Sequence, residues 1–515
     1  WLIAERSAFF DSILPMPGYM LVSEGDVPAG VKIAHLVTVR RYKTQDKQLL
    51  KRKVRHSYDN KRVLRTASPE EREAMEQYAA YTMPVGEMEA NIFLASVEPH
   101  HKLFLIDWTD AYGMGDNSHR NGEGAPLYVY PPRVLDVRTE TGAKAVLRLV
   151  SSLWGEGAAG NDFEVVRDND LRACGWPAIS DVPAAYHSGD DRAVVIMDDL
   201  LLRVTDADRV VKLATALSER CMARGGKPVT VSSNPQKWGG MKLERDQACI
   251  TLTSSLPERV HTSAVKWLPL LAETGIVPKD LPQGVKLTKL LDSLQLMRPR
   301  PARPCKTTKN LMSLVGELKW IARRVIRITK HCHMLSCIVN APQNPEDAMQ
   351  AALGTLALAF LYKNEGRTWG GSEGQTAFLG ALKGTVSAAK GSMIKRVDGG
   401  SKQSAPVQIE GATDTTWNRL DESALEHGED IVSADVYTHA ITINGALVHL
   451  ELKRAHVVTG SSAELEGMGL LKLSDSTIWA RIVASRFGIK LNGPTLLMCD
   501  AEASLRTAAG RQASA

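Results

Sequence analysis

A chain of 515 residues is too long for one hydrophobic core, and three or so domains are expected. Apolar content of 44% is that of a globular protein, and no run of 18 or more apolar residues is present to span a membrane. Seven scattered cysteines make no disulfide framework and fit a reducing compartment, while a net charge of only +5 conceals an uneven distribution.

The unevenness appears first at Lys32 to Arg65, which carries twelve Lys or Arg against Asp46 and Asp59. Ile33 to Tyr42 and Leu49 to His56 alternate and flank the polar turn Lys43 to Gln48, the pattern of a hairpin. Cations on a short hairpin suit phosphate contacts. Pro69 to Ala80 reads as a helix, with Ser68 as N-cap, Pro at its first position and three glutamates in its first turn. Gly86 to Val97 follows as a mostly apolar helix. Leu103 to Ile106 form a short apolar strand that ends in Asp107. Leu127 to Arg133 reads as an extended loop because Pro131-Pro132 breaks any helix.

Ala193 to Val204 (AVVIMDDLLLRV) is an apolar run, two aspartates and a second apolar run. It reads as strand, tight turn, strand, all largely buried. An unpaired carboxylate beside such a core is costly, so Asp198 and Asp199 call for a cation, and paired carboxylates suit Mg2+. A lone Asp-Asp pair is more often a solvated hairpin tip, which is the reading for Asp190-Asp191 beside Gly189. With Asp107 upstream, the second pair reads differently. Strand-end aspartates on adjacent strands can share two metal ions, as phosphoryl-transfer sites require.

Downstream, Ala207 to Met222 reads as an amphipathic helix stopped by Gly225-Gly226. Ser254 to Pro304 is Pro-rich and basic, with a helical stretch at Val260 to Thr274. Lys306 to Val339 and Pro345 to Lys363 read as two long helices. His331, Cys332, His333 and Cys337 lack the paired-ligand spacing of zinc modules and read as part of a helix.

Several of these stretches resemble the Pol polyprotein of copia-type LTR retrotransposons, in its reverse transcriptase and RNase H parts. IMDD at Ile196 to Asp199 resembles the Y-x-D-D box. DWTDAYGMG keeps at Asp107, Ala111, Tyr112 and Gly115 the spacing of the family's first aspartate motif. YTMPV at Tyr81 to Val85 resembles T-F-A-P-V, and LYVYPPR resembles Y-M-x-Q-P-P. Ser152, Leu153, Trp154, Gly155, Ala159 and Phe163 line up with S-L-Y-G-L-K-Q-A-x-R-x-W, although Glu156, Gly157 and Ala158 replace Leu, Lys and Gln. Trp238-Gly239-Gly240 with MKLERDQACITLT resembles the primer-grip hairpin. SLVGELKWIARR resembles R-S-L-V-G-x-L-x-Y. GATDTTW ends a strand in Asp414, SSAELEG places Glu464 in a first helical turn, and LLMCDAEASL puts Asp500 at a strand end. These three resemble the acids of the family's RNase H domain.

The resemblance implies an α+β fold: a palm, fingers and thumb polymerase, a helical connection and an RNase H-like α/β C-terminal domain. The expected boundaries are fingers and palm at 1–255, thumb and linker at 256–305, connection at 306–404 and RNase H-like domain at 405–515. It implies an RNA-directed DNA polymerase using Mg2+, or Mn2+ in its place, held by Asp107, Asp198 and Asp199, with Asp414, Glu464 and Asp500 as both the catalytic acids and the metal ligands of the second site. Nucleic acid or nucleotide contacts fall to Lys51, Lys53, Arg55, Tyr112, Met197, Trp238 and Gly240. Implied partners are an RNA template, a DNA primer, an RNA–DNA hybrid, deoxynucleoside triphosphates and other parts of the same polyprotein, with no membrane. The implied setting is intracellular: a cytoplasmic virus-like particle, the nucleus, or both. The chain opens on Trp1 without a signal-peptide pattern, as expected of a piece of a polyprotein. Only Glu502 follows Asp500 as an acid, so weak RNase H activity is expected. The competing reading is a degenerate or domesticated relic that binds nucleic acid without catalysis, favoured by Ile196 and by Glu156 to Ala158.

Overall fold

A computed structural model describes residues 1–15, 19–45, 48–69, 72–73, 84–109, 111–115, 127–245, 252–273, 308–325, 328–339, 345–364, 366–369, 409–416, 436–443, 446–454, 461–491 and 493–499. The fold mixes helices with several sheets and divides into two compact units. One comprises Trp1–Gly86 with His100–Pro235, the other Glu87–Pro99 with Gln236–Ala515. Among the described residues no helix is long and apolar enough to cross a membrane. The helix expected at Pro69 to Ala80 and the YTMPV stretch lie largely outside the described residues.

Among the described residues the first unit holds ten strands: β1 (Tyr19–Ser23), β2 (Ile33–Gln45), β3 (Gln48–Tyr58), β4 (Lys102–Asp107), β5 (Leu127–Tyr130), β6 (Ala145–Leu149), β7 (Ala185–Ser188), β8 (Asp191–Ile196), β9 (Asp199–Val204) and β10 (Thr230–Ser233). They form two five-stranded sheets, ordered β1-β6-β5-β2-β3 and β10-β4-β9-β8-β7. The β2–β3 hairpin is longer than its alternation indicates. Pairing runs from Leu36↔Tyr58 to Gln45↔Gln48, because cross-strand hydrogen bonds continue where apolar alternation has ended. LYVY, read from sequence as loop, is strand β5; the prolines end it and did not prevent it.

In the second sheet β9 lies between β4 and β8, so both of its edges are paired, and the burial of consecutive side chains shows that both faces are covered too. Leu200, Leu201 and Leu202 are all fully buried, as the apolar run required. Helices α1 (Ala159–Ala173) and α2 (Ala207–Ala223) pack together, and α2 lies on β4 and β9. Asp206 caps α2 by accepting from the Asp208 N–H at 3.0 Å, and Gly225 ends it at positive φ. Buried Asp170 on α1 takes Arg220 Nε at 2.7 Å and Arg224 Nη1 at 3.1 Å, fastening the two helices. Asp191 corrects the solvated-tip reading. Asp190 is exposed, but Asp191 is 1% exposed, accepts from the Thr205 N–H at 3.1 Å and pairs with Arg209 at 2.6 Å.

The second unit carries β11 (Lys237–Trp238), β12 (Met241–Arg245), β13 (Leu252–Ser255) and β14 (Gly366–Trp369) in one antiparallel sheet. A second sheet, ordered β17-β16-β15-β18, comprises β15 (Ile409–Thr416), β16 (Val436–Ile443), β17 (Ala446–Arg454) and β18 (Leu496–Met498). Gly239 and Gly240 both take positive φ in the turn joining β11 to β12, a two-residue hairpin turn that side chains would strain. Helices α3 (Pro257–Glu273), α4 (Thr308–Ala322), α5 (Thr329–Ile338) and α6 (Pro345–Leu361) share one apolar core. The single helix expected over Lys306 to Val339 is thus two. Arg324 is 1% exposed and donates to Ser254 Oγ (2.9 Å), Asn91 Oδ1 and Glu87 Oε1 (both 3.3 Å), and satisfying this buried guanidinium ends the helix where no Gly or Pro does. Cys332 lies on α5 as the helical reading expects, and it packs inside the core, where burial pushes its thiol up to about 12.

Helix α7 (Ser462–Arg486) lies on β15 and β16. A side chain at Gly469 would meet Thr413 Oγ1 at 2.7 Å, and one at Gly411 would meet Leu473 Cδ1 at 2.8 Å, so helix and sheet approach through glycines on both sides. The helix Glu87–Ala95 packs on β17 and α7. Asn91 Nδ2 donates to the Val448 carbonyl at 2.8 Å, and Phe93 meets Phe487 edge-on at 5.6 Å.

Candidate active site

Antiparallel pairing of β4 with β9 puts Asp107 directly opposite Asp199. Ile196 pairs with Asp199 across the β8–β9 hairpin, leaving Met197 and Asp198 as a two-residue turn. The Trp108 N–H reaches back to the Asp198 carbonyl at 3.3 Å, tying the end of β4 to that turn. The three aspartates therefore stand at one end of two adjacent strands, each only partly buried and next to fully buried Leu200 and Ile106. Met197 has φ of +59°, a left-handed conformation costing a β-unbranched side chain about 1–2 kcal/mol, and its side chain is 55% exposed. A two-residue connection between twisted antiparallel strands calls for positive φ at its first position, and here that position is Met197.

Around the carboxylates the motif residues assemble by close contact. Gly115 leaves room for α1: a Cβ there would meet Asp162 Cβ at 2.9 Å and Phe163 N at 3.1 Å. Ser152 donates its hydroxyl to buried Asp162, and its N–H to the Gly115 carbonyl at 3.0 Å. The loop after Ser152 then turns against β3. Tyr58 N–H bonds the Trp154 carbonyl at 2.7 Å, and Gly155, at φ +92°, faces Ser57 Oγ so closely that a Cβ would lie 2.1 Å from it. Tyr112 meets Trp154 edge-on at 5.1 Å, and the Arg55 guanidinium lies 4.1 Å over the Trp154 ring. Burial, and next the charge of Asp198, push the Tyr112 hydroxyl above its ordinary pKa, while Arg55 pulls the other way. Tyr112 and Arg55 are thus within electrostatic reach of each other, and Tyr112 of Asp198.

Other expected residues fall differently. Lys51 and Lys53 stand at alternate positions of β3 with Arg55, but their side chains lie outside the described residues. Trp238 is 1% exposed, so its ring belongs to the core beneath the hairpin and offers no surface for nucleic acid; Gly240 remains at the turn. Ala158 is 5% exposed at the start of α1, and Glu156 folds back to accept from the Leu153 N–H at 3.3 Å. The position where the resemblance expects Gln is therefore a packed one.

In the second unit Asp414 occupies β15 opposite Thr438; its side chain, and all of Asp500, lie outside the described residues. Glu464 is exposed, with its N–H capped by Ser461 Oγ at 3.3 Å. Glu466, which the sequence reading passed over, is 8% exposed. It accepts from the Thr415 hydroxyl on β15, and Cys499 Sγ lies 3.6 Å from its Oε2. Two residues along a helix is a rotation of about 200°, so Glu464 and Glu466 face opposite ways. The apolar spacing of Leu465, Leu473 and Ala480 was the available signal, since Glu466 borders that stripe.

No family model matches the chain, and no curated protein matches it. Among solved structures, a foamy viral protease–reverse transcriptase in complex with double-stranded DNA aligns over 93% of this chain with TM-score 0.39 and 10% sequence identity. The chain spans 59% of that protein's length.

Proposed function

We propose that the chain is an RNA-directed DNA polymerase of copia type with an attached RNase H-like unit, the β2–β3 hairpin serving as fingers and the β10-β4-β9-β8-β7 sheet as palm. The observation that carries this reading is the register that sets Asp107 against Asp199 with Asp198 in the intervening turn. Three carboxylates at one strand end are hard oxygen donors, which fits Mg2+ or Mn2+. When bound, such ions neutralise a triphosphate and make a primer 3′-hydroxyl more acidic. The residues then divide the work. Asp107 and Asp198 would hold the ions, and Asp199 would support them from across the strand pair. Exposed Met197 would meet the primer end, and Arg55 and Tyr112 would contact the incoming nucleotide. The 3′-hydroxyl oxygen attacks the α-phosphorus, its proton passes to water, the α–β phosphoanhydride bond breaks as the phosphodiester forms, and pyrophosphate leaves.

In the RNase H-like unit we assign the helix acid to Glu466 in place of Glu464, acting with Asp414 and Asp500. Cleavage of a labelled RNA–DNA hybrid separates the two: Glu466→Gln should slow it about a hundredfold, the scale of a lost preorganised group, and Glu464→Gln should leave it within about threefold. The reverse order restores Glu464.

The experiment that tests the polymerase assignment is primer extension on an RNA template with Mg2+. Packed Ala158 and the turned-back Glu156 favour the second reading, a nucleic-acid-binding relic; template binding with no extension at any Mg2+ or Mn2+ concentration would select it.

A further inference from the structure

Away from the carboxylates treated above, β16 and β17 place two imidazoles and a carboxylate on one face of their sheet. His439 stands directly opposite Glu451, and His449 is two residues before Glu451, the spacing that returns a side chain to the same face. Ligand atoms of all three lie within 4.8 Å of one another. The His439 and His449 rings are 5.2 Å apart. We propose that His439, His449 and Glu451 form a zinc site that clips β16 to β17, with water in the fourth position.

The dimensions agree with that ion. Zinc bonds of about 2.0–2.1 Å in a tetrahedron set neighbouring ligand atoms about 3.3 Å apart. His439 Nε2 already lies 3.6 Å from Glu451 Oε2, so this pair needs almost no movement. Lys453 holds the other oxygen, Oε1, at 2.6 Å, which turns Oε2 toward the imidazoles. His439 Nε2 also contacts Ser476 Oγ at 3.0 Å on α7, a contact that either fixes the ring or yields to the ion. The Nδ1 of His439 is buried and has no hydrogen-bond partner among the described residues. An ion bound through Nε2 leaves that Nδ1 unpaired, so the site rests on the Nε2–Oε2 spacing and the common face of the three ligands. An imidazole pair with one carboxylate suits zinc over magnesium, which prefers oxygen alone. Access is open: His449 and Glu451 line a cavity of about 380 Å3 with Glu87 and Glu89.

The full chain, stripped of metal with chelator, should take up one Co2+ with the intense visible absorption of a four-coordinate site, and Zn2+ should displace it. Asp198→Asn should leave that band intact, since octahedral oxygen sites absorb only weakly. His449→Ala and Glu451→Gln, with circular dichroism unchanged, should each weaken Co2+ binding about a hundredfold or more. Should either variant misfold, X-ray absorption of the zinc-loaded native chain decides alone, with two imidazole ligands expected. An absent band, a band unaltered in both folded variants, or a zinc shell without imidazole overturns the assignment.

Discussion

At the scale of single residues, Asp198, Gly155 and His56 make separable claims. Asp198→Asn removes one oxygen ligand of a preorganised site, so extension should fall about a hundredfold or more. Template binding, which depends on basic contacts elsewhere, should survive and weaken with salt; steady-state extension beside a filter-binding titration checks both. Gly155 sits at φ +92° with Ser57 and Tyr58 pressed against it. Gly155→Ala should cost about 2–4 kcal/mol, combining left-handed strain with displacement of β3, as read by urea unfolding. His56 is 3% exposed; its Nε2 donates to the Glu5 carbonyl at 3.0 Å, so Nδ1 is left to accept from Thr38 Oγ1 at 3.1 Å, and the ring is satisfied as neutral imidazole. Burial lowers its pKa below the unfolded value. The unfolded chain then binds more protons, so this contribution is whole above about pH 6.5 and is lost as pH falls through the lowered folded value. The urea midpoint should drop between about pH 7.5 and about pH 5, and less steeply in His56→Gln.

At the scale of elements, what the sequence disclosed and what it hid have different physical origins. Strands β4 and β9 were legible because their apolar runs are short, bounded and terminated by aspartate, and burial leaves such runs few alternatives. The helix α2 was legible from the amphipathic pattern of Ala207 to Met222 and from Gly225, whose positive φ is a local property. What stayed hidden depends on partners distant in the chain. Nothing local to Arg323-Arg324-Val325 breaks a helix; the break is imposed by Ser254, Asn91 and Glu87. Asp191 looks like any turn aspartate until Arg209 and Thr205 close over it. Between Glu464 and Glu466 the choice turns on which side of α7 meets β15, a tertiary fact. The central position of β9 has its own measurable consequence. Leu201→Ala should cost about 2–5 kcal/mol in calorimetry or denaturant unfolding, the range for a fully buried leucine whose neighbours on both faces cannot close the gap. Ala158→Gln must enter a packed position, so it should destabilise by about 1–3 kcal/mol and not rescue activity.

At the scale of the whole molecule, the two compact units are interleaved along the chain. Residues 87–99 interrupt the sequence of the first unit yet belong to the second. The helix Glu87–Ala95 buries Met88, Ala90, Ile92, Phe93 and Leu94, and it packs on β17 and α7. Its hydrogen bond from Asn91 to Val448 spans 357 residues. During synthesis at about 5–20 residues per second, that apolar helix leaves the ribosome roughly 20–70 seconds before its partners exist. For that interval a greasy surface is in water with nothing native to cover it. The nascent chain is accordingly a client for holding chaperones, and its yield in a cell should be governed by elongation speed as much as by the stability of the finished fold.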